Sequence, residues 1–262
     1  MQNYQILFLD IDGTILRPDH TIEESTKQAI VKLKKQGLQV VLATGRPLHE
    51  IMATAKELNI DSFITYNGSL AIFQGQEIFK EYMDPDLVTE YLNIAAENQH
   101  DLILYAEKKT LVTSLDSQKS LNFLDYFNLI EKHLFKKEDT NQILSMTILT
   151  NDSEELIHYP KKKGLFLSQV NVEGMEHAFD VIMDDVNKGV AVEAMLDHLK
   201  IPKEDSIAFG DGMNDKEMLS TVGEGFAMGN AHPDLCKFAK HTTTDVQNSG
   251  VYNGLKLLGL LN

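Results

Sequence analysis

Uninterrupted apolar runs alternate along this chain with segments whose apolar positions recur every three or four residues, as when strands and helices take turns. Ile6 to Leu9, with Ile11 beyond Asp10, shows no polar alternation, as a parallel strand covered on both faces requires. A helix through Ala29, Ile30 and Leu33 follows, with Thr21-Ile22-Glu23-Glu24 in capping-box form and Gly37 as its stop. Leu38 to Ala43 reads as a second buried strand, and Leu48 to Leu58 as a helix with Pro47 suited to its first turn. Ser62 to Thr65 reads as a third strand, and Asn67-Gly68 as a turn. The order strand, helix, strand, helix, strand predicts a right-handed parallel sheet.

From Leu70 the texture changes. Leu70 to Phe73, a turn at Gly75 and Glu77 to Lys80 predict a hairpin at the sheet margin, and Asp84-Pro85 opens a helix through Leu87, Tyr91 and Ala95. Strands at Leu102 to Ala106, Thr110 to Thr113, Leu144 to Leu149, Leu165 to Val172 and Phe179 to Met183 alternate with helices near Ser117 to Phe127 and Ser153 to Tyr159, the last ended by Pro160 and Gly164. Paired strands with few helices predict an antiparallel sheet with helices on one face. The parallel pattern returns with a helix from Asn187-Lys188-Gly189 to Leu199, a strand Ser206 to Phe209, a helix through Met218 and Leu219, a short strand Gly225 to Met228, a helix from His232-Pro233, and a terminal helix Asn253 to Leu261. The expected architecture is α/β: a parallel-sheet core of residues 1–82 and 185–262, covered by helices, with an α+β domain inserted at 83–184.

At 262 residues, 43% hydrophobic and 24% charged, the chain has the composition of an ordinary globular protein. Its formal charge of −15 argues against nucleic acid and against anionic membrane surfaces, because no cationic excess is available to displace counterions. A phosphate-bearing ligand would need a local cation. The single cysteine, Cys236, forms no internal disulfide, suits a reducing cytoplasm, and is expected to pack on one face of a helix. The amino terminus lacks a basic segment and no apolar run reaches about 18 residues, so neither a signal peptide nor a membrane span is expected.

The chemistry begins where the first strand stops. Asp10 and Asp12, two apart on an extended backbone, leave the same face and repel unless a cation or proton intervenes, and Gly13 permits the turn that follows. Turn chemistry is one reading of the pair; the other is a divalent-cation site in which one carboxylate is also a nucleophile. Three later stretches favour the second. Thr44-Gly45-Arg46, Lys188-Gly189 and Gly210-Asp211-Gly212-Met213-Asn214-Asp215 also sit at strand ends or helix starts, and the carboxyl ends of a parallel sheet lie along one edge. Meeting there, Asp10 and Asp211 would offer hard oxygen ligands to Mg2+, while Thr44, Lys188 and backbone amides near Gly13 and Gly45 would hold phosphoryl oxygens.

Together with Asp10-Ile11-Asp12-Gly13-Thr14, these stretches resemble the four ordered motifs of the haloacid dehalogenase-like hydrolase superfamily. The late insertion and the G-D-G-M-N-D form are similar to its Cof-type, sugar-phosphatase-like group. The resemblance implies a Rossmann-like core, a cap domain and an aspartyl-phosphate mechanism. By that likeness Asp10 attacks phosphorus, while Asp12 protonates the leaving alcohol and then activates water. The Asp10 carboxylate, the Asp12 backbone carbonyl and Asp211 would bind Mg2+, with Asp215 holding its water shell. Thr44 and Lys188 would orient the phosphoryl group, and Asn214 would contact phosphate or Lys188. Gly13 and Gly45 join Asn214 as candidate substrate contacts, and Arg46 could either bind phosphate or simply pair with a surface acid. Superfamily dehalogenases lack the second aspartate, so Asp12 points to phosphate.

The resulting expectation is a cytoplasmic Mg2+-dependent phosphatase acting on a small-molecule phosphomonoester such as a sugar phosphate or phosphorylated cofactor. A phosphotransferase of the phosphohexomutase type would use the same core. A non-catalytic phospho-receiver is the remote alternative; receivers carry their phosphorylated aspartate on a later strand and lack an aspartate two residues beyond it.

Overall fold

The structure is a computed structural model describing residues 4–129, 131–159, 163–170 and 172–261. Its strands, in chain order, are β1 (Ile6–Leu9), β2 (Gln39–Ala43), β3 (Phe63–Thr65), β4 (Leu70–Phe73), β5 (Gln76–Lys80), β6 (Asp101–Ala106), β7 (Lys109–Val112), β8 (Lys132–Leu134), β9 (Ile143–Leu149), β10 (Leu165–Gln169), β11 (Ala178–Met183), β12 (Ser206–Gly210), β13 (Glu224–Ala227) and β14 (His241–Thr242). The helices are α1 (Glu24–Lys35), α2 (Leu48–Leu58), α3 (Pro85–Asn98), α4 (Gln118–Tyr126), α5 (Lys188–Leu199), α6 (Lys216–Thr221) and α7 (Gly250–Leu257). The chain divides into two compact units, one of residues 1–45, 53–80 and 187–262, the other of residues 46–52 and 81–186.

The first unit is built on an eight-stranded sheet in the order β14-β13-β12-β1-β2-β3-β4-β5. Its strands are parallel from β14 to β3, and β4 and β5 close the edge antiparallel. Gln74 and Gly75 both have positive φ, the backbone a two-residue hairpin turn requires, so β4 and β5 pair as expected. Side chains of a strand alternate between faces, and this divides the core. Ile6 and Phe8 of β1 pack with Val41 and Ala43 of β2 against Ala191, Val192 and Met195 of α5 and Met218 and Leu219 of α6. On the other face Phe209 and Phe226 stack at 4.6 Å, and Gly254 of α7 lies so close that a Cβ there would run into both rings. Helices therefore cover both faces, and each buried Leu, Ile or Phe contributes about 1.5–3 kcal/mol.

The second unit holds a six-stranded sheet, β10-β11-β9-β6-β7-β8, antiparallel except for the β7–β8 pair. Val88, Tyr91 and Ala95 of α3 pack on Leu102, Leu104, Met146, Ile148 and Val181. Asp84 caps α3 by accepting from the Asp86 amide at 2.8 Å, with Pro85 in the first turn, as the sequence predicts. Alternation sends Tyr105, Thr147 and Asp180 away from that cluster, and the Thr147 hydroxyl donates to Asp180 at 2.7 Å.

Two local expectations are corrected. Glu23, not Thr21, precedes α1, and no side chain caps that helix. The Thr21 hydroxyl donates instead to Asp19 at 2.6 Å and accepts from the Arg17 guanidinium, nearer partners that win a local competition. Cys236 does not pack in the core: it is exposed in a single helical turn, Pro233–Lys237, where Leu235 takes the buried position. Strands β8 and β14, only three and two residues long, carry no legible pattern and escape a reading by periodicity. Pro160, expected to end a helix, lies outside the described residues.

Candidate active site

Backbone pairing continues past the ends of the central strands and delivers the polar residues to one edge of the first unit's sheet. The Asp10 amide donates to Phe209 O at 3.1 Å, and the Thr44 amide to Ile64 O at 2.8 Å, each one step beyond its strand. Because β12 runs parallel to β1 in register, Asp211 emerges beside Asp10. Carboxyl ends of parallel strands are where open α/β sheets hold ligands.

Close packing at glycines makes the convergence possible. Gly13 has φ +76°, and a Cβ there would collide with the Asp211 carboxylate. The Thr14 hydroxyl, buried in the same turn, donates to Asp211 Oδ1 at 3.2 Å. At Gly210 a Cβ would lie 2.6 Å from the Asp215 carboxyl carbon. Asp215 Oδ2 accepts from the Asp211 and Gly212 amides at 3.0 and 3.1 Å, which ties the whole G-D-G-M-N-D loop to one carboxylate.

Lys188 opens α5 and is completely buried. Asn187 caps that helix, its Oδ1 accepting from the Gly189 and Val190 amides at 2.9 and 3.1 Å, so the Lys188 backbone is fixed before its side chain extends. A cation at a helix amino terminus opposes the helix dipole, and here carboxylates outweigh that cost. Lys188 Nζ donates to Asp10 Oδ1 at 2.7 Å and to Asp215 Oδ1 at 2.6 Å.

Ligand atoms of Asp10, Asp211 and Asp215 lie within 4.8 Å of one another, all three side chains buried. Burial pushes the Asp10 carboxyl up to about 7; neighbouring Asp215 adds to the rise, the Lys188 ammonium opposes it, and Asp12 adds a smaller push. Burial works against the Lys188 ammonium, but Asp10 and Asp215 outweigh it and hold its pKa above the usual lysine value. Three carboxylates thus face one ammonium at the cluster. Hard oxygen donors with unbalanced negative charge suit a small dication, and Asp10, Asp211 and Asp215 could hold one.

Asp12, Thr44, Gly45 and Asn214 belong to the same unit as this centre. Asp12 is half-buried on the turn that follows Asp10. Thr44 is buried at the end of β2, and Gly45 follows it with the Asn67 side chain 3.0 Å from where a Cβ would stand. Asn214 Nδ2 donates to Asn67 Oδ1 at 2.9 Å. Arg46 belongs to the second unit, where it donates to Phe127 O at 3.2 Å and its guanidinium lies 5.4 Å from the Phe127 ring centroid.

Asn67 and Asn230 make contacts that the sequence does not announce, and Asn187, expected at a helix start, caps that helix. Asn67, expected as a turn, is buried; Asn187 supplies the α5 cap; Asn230 donates to Gly13 O at 2.8 Å and accepts from the Val246 amide at 2.9 Å, tying the loop after β13 to the turn after β1. Asn187 alone left a legible signal, an N-cap residue directly before a helix.

Residues 7–255 match the sequence model of haloacid dehalogenase-like hydrolases. "Putative phosphatase YkrA" of Bacillus subtilis (strain 168) is 32% identical over 262 residues, covering 98% of each chain. HMP-PP phosphatase of Cronobacter sakazakii (strain ATCC BAA-894) is 30% identical over 241 residues, 88% of this chain and 86% of that one. Among solved structures, the subclass IIB sugar phosphatase BT4131 superposes with a TM-score of 0.86 at 25% identity, covering 98% of this chain and all of that one.

Proposed function

This chain belongs to the haloacid dehalogenase-like hydrolase family, in its Cof-type group, and is a phosphatase; we propose that it hydrolyses a small-molecule phosphomonoester with Mg2+ through an aspartyl phosphate on Asp10. The observation that carries this reading is the buried cluster in which Lys188 bridges Asp10 and Asp215 beside Asp211.

In the proposed reaction Asp10 attacks phosphorus and the ester oxygen departs with a proton from Asp12. Asp12 then takes a proton from water, which attacks the phosphoaspartate and releases phosphate. Serving as acid and then as base suits a half-buried carboxyl beside a charged centre. Asp10, the Asp12 backbone carbonyl and Asp211 would hold Mg2+, with Asp215 acting through its water shell. Bound there, the ion would offset carboxylate and phosphate charge as a Lewis acid. Lys188 and Thr44 would orient the phosphoryl oxygens, and Asn214 and the amides of Gly13 and Gly45 would meet the charge that spreads over them. Arg46 would contact substrate only by the motif likeness, and its pairing with Phe127 in the second unit is the other reading. The class of substrate follows the names of two similar proteins, an HMP-PP phosphatase and a sugar phosphatase, and sugar phosphates and phosphorylated cofactors are the first compounds to assay.

Phosphate release from p-nitrophenyl phosphate tests the proposal. Mg2+-dependent turnover is expected, and Asp10→Asn should abolish it; substantial residual activity in that variant would remove Asp10 as nucleophile.

A further inference from the structure

Between β3 and β4 the backbone takes an unusual course for so well buried a segment. Tyr66, Asn67 and Gly68 have φ of +54°, +55° and +106° in succession, and all three are buried. Left-handed backbone at a tyrosine is disfavoured, and it persists only where the surroundings fix it. The surroundings here are the catalytic loops. The Asn67 amide donates to Thr44 O at 3.1 Å. Its side chain fills the space over Gly45, and its Oδ1 accepts from Asn214 Nδ2. One residue on, a Cβ on Gly68 would overlap the Asn187 carbonyl, immediately before Lys188.

We infer that Asn67 is a positioning residue for phosphoryl transfer, orienting the Asn214 amide and the Thr44-Gly45 backbone toward the phosphoryl group. This rests on the function proposed above.

The chemistry of the pair explains the choice of residue. An asparagine amide can present either its oxygen or its nitrogen to a given side, and only the nitrogen can donate to an anionic phosphoryl oxygen. By accepting one of the two Asn214 Nδ2 protons, Asn67 Oδ1 fixes which end of that amide faces it and leaves the second proton for a ligand. Asparagine also tolerates left-handed backbone better than most residues, so one residue type satisfies both the turn and the contact. A merely structural turn would be served equally by glycine.

That last point supplies the test. Asn67→Gly keeps the left-handed backbone accessible and deletes only the side chain. With p-nitrophenyl phosphate and saturating Mg2+, kcat should fall about 10- to 100-fold, as misplaced catalytic donors do, while KM stays within about twofold. Because Asn67 acts partly through Asn214, the double variant Asn67→Gly with Asn214→Ala should lose less than the product of the two single losses. Asn67→Asp retains the acceptor and should keep the kinetic coupling to Asn214. Unchanged kcat in Asn67→Gly, or losses that multiply fully in the double variant, would overturn the inference. A wild-type protein without phosphatase activity, or an active Asp10→Asn, would instead strike the functional proposal itself.

Discussion

Lys188 Nζ stands 2.7 Å from Asp10 Oδ1, although 178 positions separate the two residues in the chain. Its second carboxylate partner, Asp215, is as deeply buried as Lys188 itself, so the ammonium is the charge that makes this crowd of carboxylates tolerable. Removing one partner of a buried ionic group leaves the others uncompensated, which costs about 3–5 kcal/mol. Lys188→Met, similar in length and uncharged, should lower the urea unfolding free energy by about that amount and cut phosphatase turnover by at least about 100-fold. Unfolding at wild-type denaturant concentration would contradict this electrostatic account.

The opposite change should be benign for the fold. Asp10→Asn removes one negative charge from the cluster while keeping shape and an acceptor for Lys188. In metal-free buffer its melting temperature should equal or exceed that of the wild type, even as turnover disappears, the pattern of a site that trades stability for function. A large drop in melting temperature would show that the Asp10 charge is structural.

A ligand that binds only the folded chain stabilises it by mass action. Mg2+ at about 100 times its dissociation constant should raise the unfolding free energy by about 2.7 kcal/mol, and EDTA should reverse the gain. Asp211→Asn, which deletes a proposed ligand charge, should weaken the Mg2+ dependence of the melting temperature without lowering the metal-free value. Equal Mg2+ shifts in both proteins would move the ion elsewhere.

Gly13 is constrained twice, by φ +76° and by the Asp211 carboxylate lying where a Cβ would go. Gly13→Ala should cost about 1–3 kcal/mol in stability from backbone strain and displace Asp211, with loss of turnover. By contrast Gly37→Ala, at φ +93° with no atom within 4 Å of the added carbon, should show the strain cost with activity retained. Circular dichroism melts and p-nitrophenyl phosphate kinetics on the pair separate strain from collision.

Away from the site, Glu224 at the start of β13 predicts a pH dependence. Burial raises its carboxyl pKa, but hydrogen bonds from Lys240 at 2.7 Å and His241 at 2.5 Å outweigh that, so its folded value lies below the ordinary 4.5. A carboxyl depressed on folding contributes stability fully above its unfolded value and loses it as pH falls through the folded value. Urea unfolding free energy should therefore decline as pH drops below 4.5, less steeply in Glu224→Gln.

Resemblance between motifs made the family legible, and hydrophobic periodicity made the central strands legible. Ile6 to Leu9, Leu38 to Ala43 and Ser206 to Phe209 announced themselves because strands covered on both faces read as nearly continuous apolar runs, with Gln39 and Ser206 only at their starts. The same logic placed the polar residues at strand ends, where the constraint stops abruptly. The Thr21 capping box failed because its residue types are necessary for a cap without being sufficient: Asp19 and Arg17 reach the hydroxyl first.

What the chain by itself determined is the identity of the buried strands and the kinds of side chain that follow them, since both are written in local order and local polarity. Only the tertiary structure decided that Asn67 is a buried partner of Asn214, that Asn230 anchors the turn at Gly13, and that a single ammonium sits between Asp10 and Asp215. Such contacts join residues far apart in sequence, and hydrogen bonding and charge pairing are settled by distances that no pattern along one segment encodes.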